Sequence, residues 1–259
     1  MNKYTLITGG ASGLGLDLSK LFAKDKNNLL LVSSNQKNLD NAKELLEKEY
    51  GIKVEVLALD LTNPDNFKKV KEFTDSKDIF VNNLVNCAGF GECKDFKDMD
   101  PDLQVKMVEL DCNCPLYLMN VYAKEMLKNN EGKILNISSV AAFFPGPFMS
   151  TYHACKAFLL NLSEGVGREF KGTNVSVTSV CPGPFDSGFL SRAGNYYTFS
   201  KSKVLPSQKV AEISYKAMQK RKVTKIIGGS FKLLIFFSRF VSRKMIIDSS
   251  AKTIKKGGK

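Results

Sequence analysis

Short apolar runs alternate along this chain with longer segments whose apolar positions recur at helical spacing. The runs Tyr4–Thr8, Leu29–Ser33, Val54–Leu59, Phe80–Asn86, Lys133–Ser138 and Asn174–Cys181 predict strands, and Thr224–Ile227 a further short one. The spacing between them predicts helices near 14–25, 36–50, 65–75, 102–129, 152–171 and 207–221. Strands that alternate with helices imply βαβ units. Runs that are apolar throughout, with no polar alternation, imply a parallel sheet buried on both faces. The expected fold is a single doubly wound α/β domain. No internal repeat or low-complexity linker interrupts it, and the terminal Lys-Lys-Gly-Gly-Lys reads as a frayed end.

One further periodic segment, Phe231 to Ile247, reads as an amphipathic helix. At 100° per residue, Lys232, Arg239 and Arg243 fall within about 40° of one another, with Leu234, Phe237, Val241 and Met245 opposite. Two readings stand. The apolar face packs over a substrate pocket or a subunit neighbour, or the segment holds an anionic membrane surface. Charge bears on this choice. The 259 residues carry a formal net charge of +12, yet from Lys220 onward there are twelve Lys/Arg and a single acid, Asp248. The basicity belongs to the tail, so no nucleic-acid partner is expected. The division anticipated is a domain over 1–228 and a basic extension over 229–259 packed on it. With 43% apolar and 25% charged residues, no leader-like segment and no apolar run near the ~20 residues of a spanning helix, a cytoplasmic enzyme is the expectation. Six scattered cysteines and the single His153 do not make a metal site, and the thiols are expected to be reduced.

The first strand runs into Thr8-Gly9-Gly10-Ala11-Ser12-Gly13-Leu14-Gly15, and a helix follows. Glycines let the backbone turn sharply and approach a phosphate, and the helix then offers free N–H groups to it. A strand–turn–helix in this position predicts a Rossmann-type dinucleotide site, with Gly9, Ser12, Gly13, Leu14 and Gly15 at the pyrophosphate. Asp60-Leu61 closes the third strand, where the carboxylate can hold an adenine amino group or cap a turn. Asn86-Cys87-Ala88-Gly89 closes the fourth, where small residues let a cofactor lie on the sheet edge. The second strand ends Ser33-Ser34-Asn35-Gln36-Lys37, with no acid before Asp40. No carboxylate is there to grip a ribose 2′-OH, so NADP(H) is favoured over NAD(H), although the arginine expected beside a 2′-phosphate is also missing.

Tyr152-His153-Ala154-Cys155-Lys156 places a phenol and an ammonium on one helix face. The ammonium should pull the phenol down from its usual pKa and suit it to proton exchange with a carbonyl or alcohol oxygen. A second Tyr-x-x-x-Lys, Tyr197 to Lys201, competes. Thirteen residues before Tyr152 stands Ser139, at the end of a strand; thirteen before Tyr197 stands Pro184, which has no side-chain donor. Tyr197 is therefore the decoy. His153, the next residue on the helix, faces elsewhere and is assigned a structural role.

Together these motifs resemble the short-chain dehydrogenase/reductase family, in order and spacing, from Tyr4 to about Met245. The resemblance is to a broad branch of keto, acyl or steroid-like carbonyl reductases. It implies that Ser139 orients a substrate carbonyl, Tyr152 transfers the proton and Lys156 holds the nicotinamide ribose. Pro182-Gly183 would open the loop beside the nicotinamide, with Phe185 and Ser187 following. It also implies a homodimer or homotetramer through the helices near 102–129 and 152–171. One position departs from the pattern. Where the family carries an asparagine that holds a relay water, placement puts Asp111. Asn113 lies about 200° around the helix from it and cannot substitute. Phe143, Phe144, Pro145, Pro147, Phe148 and Met149 after Ser139, and Phe185, Phe189 and Leu190 after Pro182-Gly183, suggest an apolar pocket. A dinucleotide-binding regulator that has lost turnover is the alternative that Asp111 leaves open.

Overall fold

A computed structural model of the chain describes residues 2–186 and 204–255. Seven parallel strands form one sheet: β1 Asn2–Thr8, β2 Asn28–Ser33, β3 Val54–Ala58, β4 Ile79–Asn86, β5 Gly132–Ile137, β6 Val175–Pro182 and β7 Thr224–Ile227. Their spatial order is β3-β2-β1-β4-β5-β6-β7. The chain winds outward one way from β1 and the other way from β4, so a crevice opens between the carboxyl ends of these two strands. Leu29 to Val32 are fully buried, which explains why β2 shows no polar alternation.

Helices cover both faces. On one lie α1 Gly13–Lys24 and α2 Gln36–Tyr50, whose Leu18, Phe22, Leu39 and Leu46 share a core with Val210 and Met218 of the later helix Ser207–Gln219. On the other lie α3 Pro64–Ser76 and the helix Cys114–Lys128, where Phe67, Val70, Leu118 and Tyr122 pack on Tyr4, Leu84 and Ile134. Local chemistry sets the helix starts. Asn35 Oδ1 accepts the Asn38 N–H at 2.9 Å to begin α2, and Asn63 with Pro64 begins α3.

Two predicted helices are each divided. The segment near 102–129 is α4 Pro101–Val108, a π-helical turn over Glu109–Asn113, and α5 Cys114–Lys128. Pro115 has no N–H to give the Asp111 carbonyl, so the α-helical ladder cannot run through this point. After α6 Ser150–Glu169 and α7 Ser207–Gln219, the tail is two helices, α8 Gly229–Ser238 and α9 Arg243–Lys255, rather than one. Ser242 restarts the helix: its carbonyl accepts from the Ile246 N–H and its Oγ from the Met245 N–H. A two-residue parallel pairing of Phe185–Asp186 with Leu205–Pro206 carried no sequence signal. Ser187, Phe189, Leu190 and the decoy pair Tyr197 and Lys201 lie outside the described residues.

Candidate active site

The glycine turn between β1 and α1 is built by close approach. Gly9 has φ +68°, and its N–H donates to the Val32 carbonyl at 2.7 Å, tying the turn to β2. A Cβ on Gly15 would lie 2.0 Å from the Gly9 carbonyl oxygen, so only glycine lets the helix start this near the turn. Ser19, fully buried on α1, clamps the turn from below by donating to the carbonyls of Gly10 at 3.0 Å and Gly15 at 2.9 Å. Across the crevice, Thr8 Oγ1 accepts the N–H groups of Cys87 and Ala88, each at 3.1 Å, and fixes the end of β4 against β1.

The polar groups selected from the sequence come from three elements. Ser139 follows β5; its Oγ accepts the Ala141 N–H at 3.1 Å and is hydrogen-bonded to the Tyr152 phenol. Lys156 lies one turn below Tyr152 on α6, its Nζ 5.6 Å from the phenol ring centroid. Ser138 holds this part of α6 by donating to the Lys156 carbonyl at 2.9 Å. The π turn supplies the third group. Lys156 Nζ donates to Asp111 Oδ1 at 2.6 Å, with Lys156 6% and Asp111 1% exposed. Asp111 Oδ2 accepts the Phe90 N–H at 3.2 Å. Gly89 makes room for the pair, since a Cβ there would stand 2.5 Å from Asp111 Oδ1. Asn113 points elsewhere, donating to Glu109 at 3.0 Å.

Burial pushes the Asp111 carboxyl above its ordinary pKa, against the pull of Lys156. Burial opposes the Lys156 charge too, but the Asp111 carboxylate and Tyr152 outweigh it and hold the ammonium above the usual lysine value. The Tyr152 phenol stands above its ordinary range. Burial raises it most; Lys156 and the Ser139 hydrogen bond lower it, and Asp111 raises it again. The downward pull expected from the lysine is therefore present and outweighed. His153 has a packing role: Nδ1 donates to the Phe144 carbonyl at 2.7 Å, and its ring fills the space where a Cβ on Gly146 would be.

Ser139, Tyr152 and Lys156 line one cavity of about 1300 Å³ along the carboxyl edge of the sheet. Gly9, Ser12, Gly13, Leu14 and Gly15 lie along it with Ser33, Ser34, Asp60 and Leu61; Ala88, Gly89, Ser139, Tyr152, Lys156, Pro182, Gly183 and Phe185 continue it. The space at the turn and the free N–H groups of α1 fit a dinucleotide phosphate. Phe144 and Met149 form one wall beyond the tyrosine, and Phe231, Leu234, Phe237, Val241 and Met245 of the tail form the facing one.

Comparison with known proteins decides the family. The short chain dehydrogenase model matches residues 3–196. The chain belongs to the short-chain dehydrogenase family. It is 37% identical over 186 residues to the uncharacterized oxidoreductase YvrD of Bacillus subtilis, covering 70% of this chain and 68% of that one. It is 27% identical to the very-long-chain 3-oxoacyl-CoA reductase of Bos taurus, again over 70% of this chain but only 59% of the bovine protein. Among solved structures, a short-chain dehydrogenase from Sphingobium yanoikuyae in complex with NADPH superposes with TM-score 0.82 at 27% identity, covering 93% of this chain and 94% of that one.

Within this short-chain dehydrogenase, some described residues selected from the sequence are not in the lining: Asp111, Asn86, and the apolar candidates Phe143, Pro145, Pro147 and Phe148. Asp111 sits behind Lys156 and reaches the cavity only through it. Ser187 lies outside the described residues. Asn86 is buried beneath the edge, where its Nδ2 donates to Asn136 Oδ1 at 2.8 Å and joins β4 to β5. Asp60 lines the cavity, and its Oδ1 accepts the Thr62 N–H at 3.0 Å, as the turn-capping reading requires. Sequence reasoning missed Thr8, Ser19 and the part of the wall beyond Ile247, while the reading of the tail face as a pocket cover already held Leu234, Phe237, Val241 and Met245. Thr8 was legible only as a strand residue and Ser19 only as a small helix residue; nothing local marks either as a clamp.

Proposed function

We propose that this short-chain dehydrogenase moves a hydride between NADP(H) and the carbonyl/alcohol pair of an apolar small molecule, with Tyr152 as general acid/base. The observation that carries the reading is the meeting of Ser139, Tyr152 and Lys156 in the cavity that begins at the Gly9–Gly15 turn. The nicotinamide supplies the hydride when bound. Ser139 orients the carbonyl oxygen, Tyr152 gives it a proton or takes one back, and Lys156 holds the ribose and keeps positive charge near the phenol. Asp111 fixes the Lys156 ammonium in place, and its backbone carbonyl, which Pro115 has no N–H to meet, would hold the relay water. Ser33 and Ser34 line the cavity where a binder of NAD would place a carboxylate, while Asp40 lies on α2 and accepts from Gln36 at 2.7 Å; this supports NADP(H). The apolar walls, and relatives named for oxoacyl-CoA and hydroxysteroid substrates, support a keto, acyl or steroid-like substrate.

The proposal extends to organisation. Residues 1–228 form the nucleotide-binding and catalytic unit, and 229–259 an extension packed on it through Phe231, which lies against Gly183 and Gly228. A cytoplasmic homodimer or homotetramer would pair through α4, α5 and α6, where Val105, Leu116 and Phe158 are exposed. The buried Asp111–Lys156 pair also favours a second reading, a dinucleotide-binding regulator without turnover, because it offsets the charge that would activate the phenol. One experiment separates them. Tyr152→Phe should bind NADPH as the parent does and reduce a panel of hydrophobic ketones 10²–10⁴-fold more slowly, while Tyr197→Phe should leave both binding and rate as in the parent. A parent protein that binds NADPH but oxidises it with no ketone would establish the regulator instead.

A further inference from the structure

The tail helices α8 and α9 expose apolar side chains that the cavity does not use. Leu233 is 62% exposed, Phe236 52% and Phe240 75%. The rings of Phe236, Phe237 and Phe240 meet edge to face at 5.4 and 5.6 Å, forming a surface cluster at the end of α8. A cluster of this kind is costly in water and marks a contact surface. The same tail carries the exposed cations Lys232, Arg239, Arg243, Lys244 and Lys252, none in a salt bridge among the described residues; Asp248 is the only acid after residue 220. The cavity reaches this same surface. Leu234, Phe237, Val241 and Met245 line it and are themselves largely exposed, so its tail wall and the exterior patch are one continuous apolar surface.

We propose that α8 and α9 lie in the interface of an anionic bilayer, with the cavity mouth facing the acyl region, so that the apolar carbonyl substrate enters from the membrane. The substrate part rests on the function proposed above; the docking part does not. Charge selects the occupant. A second copy of the chain pairing through this patch would set the same cations against each other about a two-fold axis. An anionic headgroup layer neutralises them, while Phe, Leu and Met side chains enter the acyl boundary. The attachment is peripheral: among the described residues no helix is long and apolar enough to cross a membrane. The apolar stripe of the tail thus serves two surfaces, with Leu234 and Phe237 toward the cavity and Leu233, Phe236 and Phe240 toward lipid.

Flotation of the intact protein with vesicles tests this. Binding is expected to equimolar phosphatidylglycerol/phosphatidylcholine, weakened at least tenfold in 0.5 M NaCl, and at least tenfold weaker to phosphatidylcholine alone. The variant Leu233→Ser/Phe236→Ser/Phe240→Ser avoids every cavity-lining residue. It should lose binding at least tenfold while its NADPH affinity, circular dichroism and reduction of a small water-soluble ketone stay those of the parent. Intact protein that ignores anionic vesicles, or binds both compositions equally, overturns the proposal whether or not the variant folds. So does light scattering that shows a dimer dispersed by the triple substitution. Flotation needs no turnover, and the soluble ketone needs no vesicle, so docking and catalysis fail separately.

Discussion

Position 111 sets the electrostatics around Lys156 and Tyr152. A carboxylate there gives Lys156 a partner at 2.6 Å in a site almost closed to water, where charges act strongly over short distances. It raises the phenol twice over, by its own negative charge and by offsetting the ammonium. Asp111→Asn removes both effects, so the Tyr152 pKa should fall. Alcohol oxidation needs the phenolate, and its kcat/KM rises with pH through the phenol pKa. The rising limb should therefore move toward acid in the variant. Below that limb the rate at a fixed pH should grow about tenfold for every pH unit the limb moves. Profiles from pH 6 to 10 would show this; coincident limbs would mean that Tyr152 does not feel the pair. The same geometry has a stability consequence. Lys156→Met strands a buried carboxylate and should cost about 3–5 kcal/mol in urea unfolding, whereas Lys156→Met with Asp111→Leu, which buries no charge, should recover most of it. Equal losses in the two variants would show that packing, and not charge, dominates there.

Among the elements, two joints determine what the site can hold: the turn into α1 and the π turn between α4 and α5. In the first, space is the limiting quantity. Gly15→Ala puts a methyl group 2.0 Å from a backbone oxygen, so either the turn opens or the helix shifts, and NADPH affinity should fall tenfold or more by titration. Gly165→Ala on α6 is the control. Nothing lies within 4 Å of a Cβ there, and the exposed helical position should gain about 0.5–1 kcal/mol of stability from lost unfolded-state freedom. A Gly15→Ala protein with unchanged affinity would mean that the turn does not carry the phosphates. In the second joint, the π turn directs Asp111 at Lys156 across the base of the cavity, and a regular helix through Pro115 could not form there.

For the molecule as a whole, the reversal of strand order between β1 and β4 gathers loops from distant parts of the chain onto one edge. A dinucleotide bound along that edge would touch residues from β1 to β6 and so should stabilise the entire domain rather than one loop. At a hundred times its dissociation constant NADPH should add about 2.7 kcal/mol, which for a domain of this size corresponds to roughly 5–10 °C in Tm. NADH at the same concentration should add less, because Ser33 and Ser34 present it with no carboxylate. Thermal scans with each nucleotide provide the check, and a larger rise with NADH would reverse the proposed preference.

The order of strands and helices was legible in the sequence because periodicity is a local property. Helix α2 over 36–50 and strand β7 over 224–227 stand where their patterns put them. The glycine turn and the Tyr152/Lys156 face were legible for the same reason: each needs only a few neighbouring residues and the geometry of one turn of backbone. What lay beyond reach depends on residues far apart in the chain. The Lys156–Asp111 contact spans 45 positions and Thr8 meets Ala88 across 80, so neither follows from any local pattern. The direction in which the Tyr152 pKa moves is of this kind as well. A lysine four residues away argues for a lowered pKa, but burial and a carboxylate from another helix reverse it. Only the packing of α6 against the π turn supplies those two quantities, because desolvation and through-space charge depend on which surfaces meet, and the order of residues along the chain does not contain that.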